Sequence, residues 1–485
     1  MSVAPRTTAP EPGITIGPLA WAGIAFAVAV VQALAASLDW RLGLAVAIAL
    51  VASVAVLMRP YLLLPLSVLV VCLEGQSFGG MAVTRLLAPA AALVVVAELI
   101  RGGARIRFSA PAACAGLYLI WAVASGIWSI GPGGTRFLLQ SLAISIVFMF
   151  AFAALLSTEQ QLRQTLYVFT FVSAIMGGLS VFAFGGMVEI PHIDLTQGGR
   201  SQGGIGDPDF FAGMQLVAIP LTLVLASDTR NTRLRILLYA AVLMLLGSVF
   251  TSLSRGAYIA VVVLGLLFLA SRPERLFRSR EEKAAALLVV ALGMIGFFSR
   301  PFLREQVVTR AQSIYAPENR EDETGSGRTN LWMAAVRTAE ENPVVGIGYG
   351  SFIFVSQDLL LNTPGVDPLV LQRRAEGNNF VAHNTYLGTL AELGVVGLAL
   401  LLSIYISTGI ALRRTATQAI GAGAPFVGRV AHALILGLVA WATISVFLSA
   451  ETSRMFWIIV GLAIALPKLI PERSPYRGRS YAPTS

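Results

Sequence analysis

Residues 137–156 read FLLQSLAISIVFMFAFAALL, a run of twenty without a charged side chain. A helix that crosses a hydrocarbon core needs about 20 such residues, because every backbone amide there must be satisfied within the segment. Comparable apolar runs flank it at Pro18 to Ser37, Leu42 to Met58, Tyr61 to Leu73, Ala82 to Leu99 and Ala110 to Trp128. Beyond it they continue at Leu162 to Phe184, Phe210 to Ala226, Leu234 to Phe250, Ala257 to Ala270, Ala284 to Phe298, Tyr386 to Leu412, Val430 to Leu448 and Phe456 to Leu466. The expected fold is an all-α polytopic integral membrane protein with about 12–14 transmembrane helices. Pro60 and Pro65 shorten the third run, which reads equally as a re-entrant segment. A chain of 485 residues that is 56% hydrophobic and 13% charged, with mean hydropathy +0.75, is too apolar to be soluble.

Charge orients the spans, since cytoplasmic loops retain Lys and Arg. Short loops on one side hold Arg59, Arg101, Arg105, Arg107, Arg163, Arg230, Arg233, Arg235, Arg272, Arg275, Arg278, Arg280, Lys283, Arg413 and Arg414. The opposite short loops hold Arg41, Arg85, Arg136, Arg200, Arg255 and Arg454. Both termini are therefore expected to be cytoplasmic: 1–17 a flexible tail, 18–299 transmembrane helices, 300–384 a large external loop, 385–470 the C-terminal transmembrane helices and 471–485 a second tail. No cleavage signal follows the first apolar run, so that span is expected to persist. The net charge of +9 sits largely in these connectors, which removes the case for a nucleic-acid partner. Cys72 and Cys114 both fall inside expected spans and provide no disulfide framework. The absence of a Walker-type lysine loop argues against an ATP-driven pump.

The hydrophilic insert from Arg300 to His383 is long for a connector, as a functional segment would be. Within it, Leu331, Ala335 and Thr338 share one face of a helix that Asn342-Pro343 ends. This helix is expected to lie along the membrane surface with Trp332 at the interface. Gly346-Ile347-Gly348-Tyr349-Gly350 follows no strand and reads as a turn, not a phosphate loop. Glu318, Glu321, Asp322 and Glu323 read as a solvated run. In a smaller external loop, Gly185 to Asp209, Asp207-Pro208 has the form of an N-cap followed by an N1 proline.

Three histidines occur: His192 in the smaller loop, His432 near the cytoplasmic start of a span, and His383 at the external mouth of the span opening near Tyr386. His383 reads either as a loop and capping residue or as a proton acceptor oriented by Asn384. Arg255 and Arg328 lie at external helix starts; Arg200 and Arg85 are further candidates. A guanidinium offers a fixed fork that matches phosphate oxygens and stays charged, and the competing reading is contact with lipid headgroups. Arginines and one candidate base on a single face suit group transfer from a lipid-linked phosphate or pyrophosphate. Such chemistry needs the diphosphate held and a proton removed from an incoming hydroxyl. It demands no metal and no other cofactor.

Three pieces carry a family resemblance. They are Ser254-Arg255-Gly256-Ala257 opening a span; Gly327-Arg328-Thr329-Asn330-Leu331-Trp332 followed by Asn342-Pro343 and the glycine-rich turn to Phe352; and His383-Asn384-Thr385-Tyr386-Leu387 followed by Glu392-Leu393-Gly394. In this order, around the large loop, they resemble the bacterial O-antigen ligases and the related O-antigen polymerases, over roughly Arg200 to Leu402. The resemblance implies a C-type membrane glycosyltransferase of the inner membrane, whose large loop and active face are periplasmic. Its donor would be an undecaprenyl-pyrophosphate-linked glycan. Its acceptor would be a lipid A core or another glycan in a ligase, and a second lipid-linked repeat in a polymerase. Arg255 and Arg328 would bind the pyrophosphate, with Arg200 beside them. His383 would activate the acceptor hydroxyl, with Asn384 and Tyr386 in support. A chain-length regulator is left open as an associate. One departure is Asp209, where the family more often has asparagine after the proline; another is a span count nearer to that of polymerases. The reading from a different class is a lipid-linked-oligosaccharide flippase or transporter, disfavoured because the charges cluster at span ends and not at the bilayer midplane.

Overall fold

The computed structural model describes residues 51–471 apart from 76, 79–80, 105, 107, 191–193, 313–324 and 362–379. The run Pro18 to Ser37, most of Leu42 to Met58, His192, the acidic run Glu318 to Glu323 and both terminal tails beyond those limits lie outside the described residues. The chain divides into two compact units, Met1–Leu62 and Leu63–Ser485. Of the first, residues 51–58 are helical and a 3-10 turn covers Pro60–Leu62.

The described residues of the second unit are almost entirely helical. Its first helices are α1 (Leu63–Cys72), α2 (Val83–Arg101), α3 (Ala110–Ala124), α4 (Pro132–Leu155) and α5 (Glu159–Phe184). Next come α6 (Pro208–Asp228), α7 (Thr232–Thr251), α8 (Arg255–Ala270), α9 (Arg280–Phe298) and α10 (Pro301–Gln312). The last are α11 (Gly325–Glu341), α12 (Phe352–Leu361), α13 (Thr385–Gly421), α14 (Pro425–Ile444) and α15 (Arg454–Ala465). The described residues also form two small antiparallel hairpins, β1–β2 (Ser77–Phe78 with Met81–Ala82) and β3–β4 (Thr196–Gln197 with Arg200–Ser201).

The all-α polytopic class expected from the apolar runs is the class observed, with a smaller span count among the described residues. Seven helices are long and apolar enough to cross a membrane, or eight if the bent pair α9–α10 counts as one span. The expected run Tyr61 to Leu73 divides between the 3-10 turn and the ten residues of α1. Ala82 to Leu99 becomes a helix carrying Arg85, Glu98 and Arg101. Ala257 to Ala270 and Phe456 to Leu466 form helices of 16 and 12 residues. These helices are shorter than the usual crossing length, although α8 links the Asp209 end of α6 to its Asp228 end. Exposed aliphatics mark the faces fit for lipid: Leu288, Leu292 and Ile295 form a stripe on α9, and Leu117, Ile120 and Val123 one on α3.

Helix α6 lies at the centre, with every residue from Phe211 to Ser227 buried. It packs on α5, α7, α8 and α14, while α13 packs on α3 and α14, and α15 on α4. The start of α6 follows local rules. Asp207 accepts hydrogen bonds from the amides of Asp209 (2.8 Å) and Phe210 (2.9 Å), and Pro208 takes the first helical position, where a missing N–H costs nothing.

Candidate functional site

The ends of α7 and α14 meet the starts of α6, α8, α11 and α13, and this junction gathers the residues singled out in the sequence. The link between α7 and α8 is three residues, Ser252 to Ser254, of close-set contacts. The Ser252 carbonyl accepts from Arg200 Nε at 2.9 Å, and the Leu253 carbonyl from Arg310 Nε at 2.9 Å. The Ser254 hydroxyl caps α8 by accepting from the Ala257 amide at 3.2 Å and also hydrogen-bonds the Asp209 carboxylate. Leu253 adopts a left-handed φ of 50°, a conformation that disfavours a branched side chain and turns the link sharply enough to present these groups. Arg255 is the first residue of α8, and a Cβ on Gly256 would come within 2.8 Å of the Phe447 ring.

Asp209, in the first turn of α6, is the centre of the cluster and only 5% exposed. Its Oδ1 accepts from Arg200 Nη2 at 2.7 Å and its Oδ2 from Arg328 Nη2 at 2.6 Å. One carboxylate thus joins an arginine on the β3–β4 hairpin to an arginine on the first turn of α11. Ser201, next to Arg200, fastens the hairpin by donating to the Ser180 carbonyl at 3.1 Å and to Thr251 Oγ1 at 2.8 Å. The neighbouring Asp207 carboxyl is pushed up from its ordinary value, first by burial and then by the charge of Asp209, against the two amides it caps.

His383 enters the same junction from another direction. It is half-buried and takes a left-handed φ of 48°. Ala382 before it is buried in a cluster with Leu331, Ala334 and Ala335 of α11, one turn along from Arg328. Thr385 after it donates to the Leu448 carbonyl at 2.5 Å and accepts from the Ala450 amide at 2.8 Å. Phe447 in turn packs on Trp332 of α11, with ring centroids 6.0 Å apart. The stretch 447–450 therefore ties the element carrying His383 to the elements carrying Arg255 and Arg328.

The two residues expected to support His383 both make contacts at the start of α13. The Asn384 carboxamide oxygen accepts from the amides of Tyr386 and Leu387, each at 3.0 Å, so it caps α13 and its oxygen is committed to the helix. The Tyr386 hydroxyl donates to the Ala442 carbonyl at 2.8 Å and braces α13 against α14. Trp332 faces Phe447 with its indole nitrogen enclosed, and the apolar face of α11 that sequence periodicity identified packs onto protein. Arg85 lies over the Phe137 ring at 5.4 Å, and His432 hydrogen-bonds Ser271 at 3.2 Å, a packing role.

Sequence reading missed how the glycine-rich turn and the start of α13 lock together. Gly394 breaks α13 with φ 66°, and a Cβ there would meet the Val344 carbonyl oxygen at 2.1 Å. The amides of Ile347 and Gly348 donate to the carbonyls of Ala391 (3.0 Å) and Glu392 (2.8 Å), and the amide of Val395 to that of Pro343 (2.8 Å). The buried Glu392 carboxylate accepts from the amides of Gly350 (2.8 Å) and Phe352 (3.1 Å), capping α12 from a neighbouring helix. The available signal was an acidic residue inside an apolar run, which is costly there unless partnered. Among the described residues no group of three His, Cys, Asp or Glu is placed to hold a metal ion.

Residues 239–402 match the family model described as O-Antigen ligase. That stretch is similar to the O-antigen ligase family. The match runs from α7 to α13, includes Arg255, Arg328 and His383, and leaves Arg200 and Asp209 outside it. The family is one of glycosyltransferase-like membrane enzymes that handle lipid-linked glycans. No curated protein matches the chain.

Proposed function

We propose that the protein is a glycosyltransferase that moves a glycan from undecaprenyl pyrophosphate to an acceptor hydroxyl, on a lipid A core or another surface glycan. The reading places it in the inner membrane with both termini cytoplasmic and with 300–384 and the Asp209 junction facing the periplasm; the asymmetry of Lys and Arg among the loops supports this. The observation that carries the proposal is the convergence of Arg200 and Arg328 on Asp209, beside Arg255, where the ends of several long apolar helices meet. Fixed guanidinium forks suit a diphosphate. In the reaction, the acceptor oxygen forms a bond to the anomeric carbon as the bond from that carbon to the phosphate oxygen breaks. The electron pair leaves with the polyprenyl diphosphate, whose charge Arg200, Arg255 and Arg328 stabilise. The acceptor's proton passes to His383. The chemistry needs no metal.

Purified protein in lipid nanodiscs, given a synthetic polyprenyl-pyrophosphate glycan without ATP or an ion gradient, should release polyprenyl diphosphate as it forms a new glycosidic bond. Translocation of intact donor without its consumption would overturn the transferase reading in favour of a flippase. A requirement for added lipid A core identifies a ligase, and a ladder of products from donor alone identifies a polymerase.

A further inference from the structure

The Asp209 carboxylate is held on several sides. It sits in the first turn of the most buried helix, with its own amide held by Asp207 and its oxygens shared among Arg200, Arg328 and Ser254. Each guanidinium has five N–H donors, and Asp209 uses one Nη group of each, with Arg200 Nε on the Ser252 carbonyl. A second anion can therefore bind these arginines while Asp209 stays in place. Its charge then opposes that anion across a short, largely dehydrated distance, where electrostatic terms are strong. With Asp209 ionised, the pair of arginines and their carboxylate carry a net +1; with a neutral residue there, +2.

We propose that Asp209 is an internal counter-anion that keeps the affinity of the Arg200–Arg328 pair for a diphosphate low enough for the polyprenyl diphosphate product to leave. This rests on the diphosphate reading above and concerns product release, not bond formation. Asp209 acts through the arginines and is a positioning residue. Binding that stabilises donor, product and transition state alike lowers KM without raising kcat, and a product held too tightly limits turnover. Neutralising Asp209 loses orientation at Arg328 but leaves Arg200 anchored on Ser252, so the gain in positive charge dominates.

The test is inhibition by inorganic pyrophosphate together with steady-state and single-turnover transfer, for the wild-type protein and for Asp209→Asn. The expected result is pyrophosphate inhibition about tenfold tighter in the variant. Donor KM and kcat should both be lower, with kcat falling by more than the single-turnover rate. Asp209→Ser, which is neutral and fits the same helical turn, should shift inhibition in the same direction and covers the case in which the asparagine variant does not fold. Asp209→Glu restores the charge and should return inhibition toward the wild-type value. Unchanged or weaker inhibition in the neutral variants, with single-turnover and steady-state rates falling together, overturns the inference and leaves Asp209 an orienting residue only. Failure of pyrophosphate to inhibit an active wild-type protein overturns the diphosphate reading itself, and this inference with it.

Discussion

Helix α6 carries an aspartate gripped by arginines at each end, and the two clusters balance their charge differently. At the Asp228 end, Asp228 pairs with Arg429 (2.6 Å), Arg278 (3.2 Å) and Arg163. Arg163 also pairs with Glu159 (2.7 Å) and lies 3.6 Å from the centre of the Phe426 ring. Glu282 closes the group by accepting from Ser227 Oγ (2.6 Å) and the Arg278 amide (3.0 Å). Three arginines meet three carboxylates there, and they join α5, α6, α9, α14 and the link before α9. At the Pro208 end, Arg200 and Arg328 meet the Asp209 carboxylate, Asp207 caps the helix beside it and Arg255 stands on the adjoining turn, so three arginines face two carboxyl groups. A neutral network suits a fastening between helices, because buried charges are tolerated when paired. A network with surplus cation suits an anionic ligand. The comparison separates a structural use of arginine from a binding use on one helix, and it can be broken by experiment.

The largest effect is expected at His383. Replacing it with asparagine, which tolerates the left-handed backbone better than alanine does, should lower transfer by roughly 10²–10⁴-fold while leaving thermal unfolding near wild type. His383→Ala should behave alike in activity. Near-normal transfer by the asparagine variant would remove the imidazole from the mechanism and leave His383 a loop residue.

Asp228→Asn tests the opposite end. It leaves three guanidiniums facing a neutral side chain, and breaking such a pair is expected to cost about 3 kcal/mol, at the low end of the buried range because Arg163 and Arg278 are partly exposed. Unfolding temperature in detergent should drop, whereas activity per folded molecule should hold. Loss of activity in well-folded Asp228→Asn protein would mean that this cluster also serves the reaction, and the contrast between the two ends would fail.

Arg328→Lys should reduce transfer by about 10- to 100-fold, since lysine keeps the charge and loses the planar fork. At the Asp228 end the same exchange, Arg278→Lys, should leave transfer unchanged, because that guanidinium is partly exposed and shares its carboxylate with two others. Equal sensitivity of the two arginines in a donor-titrated assay would argue that neither fork reads a diphosphate.

These contrasts were legible in the sequence to different depths. Local signals translated directly: Asp207-Pro208 started α6, Asn342-Pro343 ended α11, and Leu331, Ala335 and Thr338 formed its buried face. Uncharged runs such as 137–156 gave long helices for the same local reason. Long-range pairing was not legible, because nothing in the neighbourhood of Asp209 names Arg200 or Arg328 as its partners; the fold brings them together from 9 and 119 residues away. Arg163, Arg278 and Arg429 were visible as basic residues near helix ends, but their shared carboxylate was not. The helices α1, α8 and α15 are shorter than the usual crossing length, which hydropathy windows do not reveal because they register composition and not helix length. Gly394 showed neither its break nor its contact with Val344, since a glycine in an apolar run has the same local signature whether it bends the helix or sits within it.

The smallest expected effects come from two helix caps, and they sharpen the comparison most finely. Thr158 caps α5 near the Asp228 end through a reciprocal box with Gln161, whose amide it receives at 3.2 Å. Asn384 caps α13 beside His383. Either residue changed to alanine loses a capping bond of about 1 kcal/mol, so both variants should unfold slightly earlier and by similar amounts. Their activities should differ. Thr158→Ala leaves the Pro208 end untouched and should transfer normally. Asn384→Ala loosens the turn that holds His383, and transfer should fall severalfold, with Asn384→Asp recovering it because a carboxylate oxygen can accept the same two amides. Measuring unfolding and transfer on the same preparations separates the two outcomes. If Asn384→Ala lost only stability, the placement of His383 would not depend on the cap, and the left-handed turn at 383 would have to be held by Ala382 and Thr385, whose contacts run to α11 and to residues 448–450.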